Sequence, residues 1–118
     1  MSQKKGFAAE EQARQYLQAQ GLSWVTSNYH SRSGEIDLIM RDGSYLVFVE
    51  VRARSSAAFG GALASVTYSK QQKLIKTALF YLSVHRLHDK QAIRFDIVTI
   101  DGVPASIDWI KNAFGNDF

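Results

Sequence analysis

Asp37 and Glu50 stand in two strand-like runs on either side of a turn signal, and a pair of carboxylates brought together is a ready oxygen site. Glu35 to Met40 and Tyr45 to Ala53 flank Arg41-Asp42-Gly43-Ser44, which reads as a β-hairpin. Residues directly opposite in an antiparallel pair share a face. A four-residue loop, Asp42 to Tyr45, places Asp37 opposite Glu50. A two-residue loop, Asp42-Gly43, places Asp37 opposite Phe48 and diagonal to Glu50. Both registers keep the carboxylates together, whereas an unbulged three-residue loop separates them. Adjacent carboxylates repel unless a cation or a shared proton intervenes. Such a site suits Mg²⁺ or Mn²⁺, which can polarise a phosphoryl oxygen and activate a water. The competing reading is a surface strand whose acids pair with Arg52 and other basic side chains, and pattern alone leaves both open.

The elements that must position these residues are legible in the hydrophobic pattern. A helix is expected from about Lys5 to Gln20, with Gly21 as its C-terminal cap. Ala9, Ala13, Tyr16 and Leu17 share one stripe of it, and Glu10 falls at the stripe's edge, turned towards the protein body. A short strand follows near Leu22 to Thr26. In the hairpin, Ile36, Leu38, Met40, Val47, Val49 and Val51 make an apolar face. Glu35, Asp37, Ile39, Leu46, Phe48, Glu50 and Arg52 make the other. Arg54 to Ala64 reads as loop. A second helix is expected from about Lys70 to His85, with Ser69 and Gln72 resembling a capping box. Leu74, Ile75, Ala78, Tyr81 and Leu82 form its buried stripe, and Lys70, Lys73 and Lys76 lie away from it. Gln71 falls on the apolar side. Ile93 to Ile100 reads as a strand and Ser106 to Ile110 as a short edge strand, with Asn112 to Phe118 a loose tail. The sequence predicts a single α/β domain over 1–118, in the order α-β-β-β-α-β before the edge strand.

The 118 residues hold no cysteine, which excludes a disulfide scaffold, a thiolate metal site and a thiol nucleophile. Neither a signal-peptide core nor a bilayer-spanning apolar run is present, and the expected location is cytoplasmic. The net charge of +3 is mild, but its distribution is uneven. From Gly61 to Arg94 six basic residues accompany one acid, a balance that suits phosphates as well as it suits a solvated lysine-rich helix. His85 and His88 suit a helix C-terminus better than a metal. Asp96 reads equally as a residue supporting the site or as a hydrogen-bonded strand acid.

Gly6-x-x-Ala9-Glu10, Gly34-Glu35-Ile36-Asp37-Leu38-Ile39 and Val47-Phe48-Val49-Glu50-Val51-Arg52 together resemble the YraN family of small bacterial proteins. Phe59-Gly60, Val66-x-x-x-Lys70 and Arg94-Phe95-Asp96-Ile97-Val98 extend the resemblance over nearly the whole chain. It implies a restriction-endonuclease-like core, related to Holliday-junction resolvases, with a mixed sheet flanked by helices. It carries metal-binding roles onto Asp37 and Glu50, a third carboxylate onto Glu10, and a carbonyl ligand onto Val51. It sets Lys70, and Gln71 with it, near the site, and Glu35 beside Asp37 in support.

In one respect the chain departs from the nuclease signature, which has lysine where Arg52 stands. Arginine stays protonated, so it cannot act as a general base, but it can stabilise phosphoryl charge. Asp37, Glu50, Arg52 and Lys70 are therefore the expected catalytic set, with Mg²⁺ or Mn²⁺ as cofactor. Arg32, Arg54, Lys70, Lys73 and Lys76 are expected to face nucleic acid. The expected function is a metal-dependent endonuclease or nuclease-like protein acting on DNA, branched or recombination intermediates included. One alternative is a nucleic-acid-binding module without turnover, and another is an assembly role without nucleic acid. A homodimer would suit a two-fold junction.

Overall fold

The computed structural model describes residues 2–54, 66–87, 89–102 and 104–115. Helix α1 (Ser2–Ala19) leads into strands β1 (Ser23–Ser31), β2 (Gly34–Asp42) and β3 (Tyr45–Arg54). Helix α2 (Tyr68–Val84) precedes β4 (Ile93–Asp101) and β5 (Ser106–Phe114). The strands form one mixed sheet in the order β1-β2-β3-β4-β5. Only β3 and β4 run parallel. A parallel neighbour demands a long crossover, and α2 lies in that connection. Most of the expected loop from Arg54 to Ala64, Phe59-Gly60 within it, and His88 lie outside the described residues. Among the described residues, no helix is long and apolar enough to cross a membrane.

Among the described residues, each face of the sheet buries one helix. Ala9, Ala13 and Leu17 of α1 pack on Leu38, Met40, Val47, Val49, Val98 and Ile100. Leu74, Ala78, Tyr81 and Leu82 of α2 pack on Ile36, Ile39, Leu46, Phe48, Phe95 and Ile97. Both helical stripes are those the periodicity predicts. A chain covered on both faces must be apolar on both, hence the near-continuous hydrophobic reading of β3 and β4.

Several expectations are corrected. The first strand runs to Ser31, well past Thr26. Thr67, not Ser69, caps α2: its side chain accepts from the Lys70 N–H. The hairpin pairs Asp42 with Tyr45, leaving Gly43-Ser44 at the tip with Gly43 at φ 60°. This matches the register that brings Asp37 opposite Glu50. The tail from Asn112 is not loose throughout, because Asn112 to Phe114 complete β5. Phe114 is buried and stacks on Phe95 at 5.1 Å between ring centroids.

The largest departure is at Ile36, expected on the same face as Leu38. Instead it packs on the α2 side with its cross-strand partner Tyr29, whose ring meets Tyr81 edge-on at 5.0 Å. Alternation therefore breaks between Ile36 and Leu38. Across the ladder, Asn28 has φ 54°, a left-handed conformation inside a strand. At the same level the β2–β3 ladder reaches its last pair, Leu38 with Val49.

Candidate functional site

The β2–β3 register, continued by one step past Leu38 and Val49, sets Asp37 across from Glu50. There the backbone N–H of Val51 donates to Asp37 Oδ2 at 2.8 Å. A side-chain carboxylate thus takes the donor, and the chain at the edge of this break is held by Asp37 itself. Glu50 is 4% exposed and Asp37 half-buried. Glu10 approaches from α1, on the inward edge of the helix where the periodicity sets it. Its Oε1 is buried with no hydrogen-bond partner among the described residues.

Two cations approach the carboxylates. Arg52 Nε lies 3.2 Å from Glu50 Oε2, and Lys70 Nζ lies 3.8 Å from the same oxygen. Arg52 Nε makes no aligned hydrogen bond among the described residues, so this is a charge-to-charge approach. Lys70 arrives on the first turn of α2, which the Thr67 cap fixes.

Burial governs the three acids, and the Asp37 charge adds to it at Glu10 and Glu50. Burial, then the Asp37 charge, push the Glu50 carboxyl up to about 8, against the opposing pull of Lys70 and Arg52. Burial, again followed by Asp37, raises Glu10 to about 7. Burial also raises Asp37, against the stabilising Val51 N–H. Three acids from three elements therefore hold more protons near neutrality than free carboxyls do.

An oxygen-binding dication fits this chemistry. Among the described residues, no three His, Cys, Asp or Glu side chains form a ready metal cage. Mg²⁺ does not require one, because it keeps several waters and is commonly held by one or two carboxylates. Asp37 and Glu50 would be those carboxylates, and the orphaned buried oxygen of Glu10 suits a contact with the ion or its water. The ion would displace protons from acids whose pKa values the burial has raised.

Other expected residues are placed elsewhere. Glu35 points to solvent and meets His30 Nδ1 at 3.2 Å, though its charge is felt by Glu10. Gln71 donates its amide to the Val66 carbonyl at 3.0 Å, tying down the approach to α2. That contact accounts for an amide on an apolar face. Asp96 is fully buried and accepts from Arg94 twice, from Trp109 Nε1 and from the Asn112 N–H. It is the hydrogen-bonded strand acid, and it anchors β5 to β4. His85 caps α2 and stacks on Tyr81. Arg32, Lys73 and Lys76 are exposed, while the side chain of Arg54 lies outside the described residues.

The sequence reading passes over Asn28, whose side chain interacts with the Glu10 carboxyl and opposes its upward shift. The available signal was weak: asparagine tolerates left-handed backbone, but Asn28 lies past Thr26, where the expected strand ended.

The family model of the uncharacterised protein family UPF0102 matches residues 9–100, which include Glu10, Asp37, Glu50, Arg52 and Lys70. A UPF0102 protein of Legionella pneumophila (strain Philadelphia 1) is 58% identical over 114 residues, covering 97% of each chain. One from Coxiella burnetii (strain RSA 331) is 56% identical over 113 residues, covering 96% of this chain and 93% of its own. One from Enterobacter sp. (strain 638) is 50% identical over 113 residues, covering 95% of this chain and 85% of its own. With the family model and these relatives in agreement, the chain belongs to the UPF0102 family, the YraN family of its sequence resemblance.

Proposed function

We propose that this protein is a metal-dependent nuclease acting on DNA, branched intermediates among its substrates, built on a restriction-endonuclease-like core. The observation that carries the reading is the convergence of Glu10, Asp37 and Glu50 from α1, β2 and β3 into one group, Glu50 buried and the other two half-buried. Ionised together, these carboxylates repel unless a cation or a shared proton answers their charge. Asp37 and Glu50 would hold Mg²⁺ or Mn²⁺, with the Val51 carbonyl as a further ligand and Glu10 beside them. When bound, the ion supplies Lewis-acid charge for phosphodiester hydrolysis. Arg52 and Lys70 would orient and neutralise the scissile phosphate. Arg52 stays protonated and cannot act as a base, so Lys70 would substitute for the signature lysine.

The outward face of α2 supports a polyanionic partner. Lys73 and Lys76 are exposed there, and α2 contains no acid. The test is incubation of the protein with branched and linear duplex DNA in Mg²⁺ or Mn²⁺, alongside Asp37→Asn and Glu50→Gln. Cleavage by the wild type, reduced at least about 100-fold in both variants, supports a nuclease. Cleavage that survives in the variants, or none from the wild type, contradicts it.

The position of Arg52 favours one second reading, a DNA-binding module without turnover. In that case DNA binds without metal, weakens steeply with salt and is never cut.

A further inference from the structure

We propose that Asn28 is a positioning residue of the carboxylate site, holding Glu10 and Asp37 in register through a kinked backbone and its side-chain amide. This inference rests on the metal-site reading above and extends it to a residue outside the acids and cations already assigned.

The first observation is conformational. Asn28 has φ 54° in the middle of β1. Left-handed backbone is uncommon for residues other than glycine, and where it persists the surroundings must compensate for it. The flanking pairs, Ser27 with Leu38 and Tyr29 with Ile36, set Asn28 across from Asp37. The kink therefore sits at the level of the site and not at a strand end.

The second observation is its effect on the sheet. Ser27 lies opposite Leu38 of the α1-side core, and alternation would return Tyr29 and Ile36 to that side. Both pack on the α2 side. The break in alternation falls at the Asn28–Asp37 level, where β2 stops pairing with β3 and the Val51 N–H becomes free to bond Asp37. A kink in β1 is thus matched by an opening between β2 and β3, and Asp37 occupies the opening.

The third is chemical. The Asn28 side chain faces Glu10, the acid whose Oε1 is buried without a hydrogen bond among the described residues. An amide offers two donors and no charge. It can steady a carboxylate without competing for the dication as a lysine would. A serine or aspartate would supply fewer donors or a further negative charge.

Asn28→Gly and Asn28→Ala separate this role from a structural one. Glycine keeps the left-handed backbone without strain but lacks the amide. Alanine lacks the amide and resists the kink. Thermal melting of the metal-free proteins and calorimetric titration with Mn²⁺ alone are the two readouts. Asn28→Gly is expected to melt at or above the wild-type temperature yet bind Mn²⁺ about 10-fold more weakly, the scale of losing a residue that orients a ligand. Asn28→Ala is expected to lose on both counts. Wild-type Mn²⁺ affinity in the glycine variant would overturn the proposal and leave the metal site standing. Failure of the wild type to bind Mn²⁺ would overturn the metal-site reading and this inference with it.

Discussion

At position 52 a guanidinium stands 3.2 Å from Glu50 Oε2, where the nuclease signature has an amine. Arginine can neutralise charge but cannot exchange a proton near neutral pH. Arg52→Lys is therefore expected to leave Mn²⁺ affinity within about 3-fold and to raise metal-dependent DNA cleavage at least about 10-fold, the scale of a general acid or base. Single-turnover cleavage assays check it, and an unchanged or slower rate would show that Arg52 is the better residue here. Asp96 gives the converse case, a buried acid whose hydrogen bonds go to Arg94, Trp109 and Asn112. Among the described residues, Asp96→Ala leaves Arg94, which is 11% exposed, with Asp42 as its ion-pair partner. It is expected to cost roughly 3–5 kcal/mol in urea unfolding, with unchanged Mn²⁺ affinity in whatever protein stays folded.

The elements that carry these residues were largely readable from pattern. The α1 stripe turned Glu10 inward, and the hairpin kept Asp37 beside Glu50, because helix and strand periods fix direction without tertiary knowledge. The face of Ile36 was not readable. Strict alternation cannot foresee a left-handed residue on a neighbouring strand, and Asn28 supplies one. The true cap of α2 was missed because Ser69 and Thr67 both offer a hydroxyl, and only the position of the first turn chooses between them. Gln71 stood out as an amide on an apolar face, and the Val66 carbonyl is a partner that pattern could not name. The end of β5 was hidden because its stability comes from packing. At Gly115, with φ 78°, an added Cβ would sit 2.9 Å from Phe95 Cδ2. Gly115→Ala is expected to destabilise the protein by about 1–3 kcal/mol, measured by denaturant midpoint.

For the molecule as a whole, the raised acids link stability to pH. Glu10 and Glu50 start from 4.5 in the unfolded chain and are raised to about 7 and about 8 on folding. Between those limits the folded state binds more protons than the unfolded state, so stability falls as pH rises. This contribution is fully present below pH 4.5 and is lost as pH passes through the folded values. The metal-free protein is expected to melt several degrees lower at about pH 8.5 than at about pH 6, on the order of 4 °C for each kcal/mol. Glu50→Gln, which carries no charge to bury, should flatten that slope. Metal affinity should run the other way and strengthen with pH, because the ion displaces protons.

The central claim is that Asp37 and Glu50 form a cation site, and calorimetric titration with Mn²⁺ at about pH 7.5 tests it most directly. The account predicts saturable binding by the wild type, lost or weakened at least about 10-fold in both Asp37→Asn and Glu50→Gln while the variants stay folded. No binding at millimolar Mn²⁺, or equal binding by all three proteins, would contradict it.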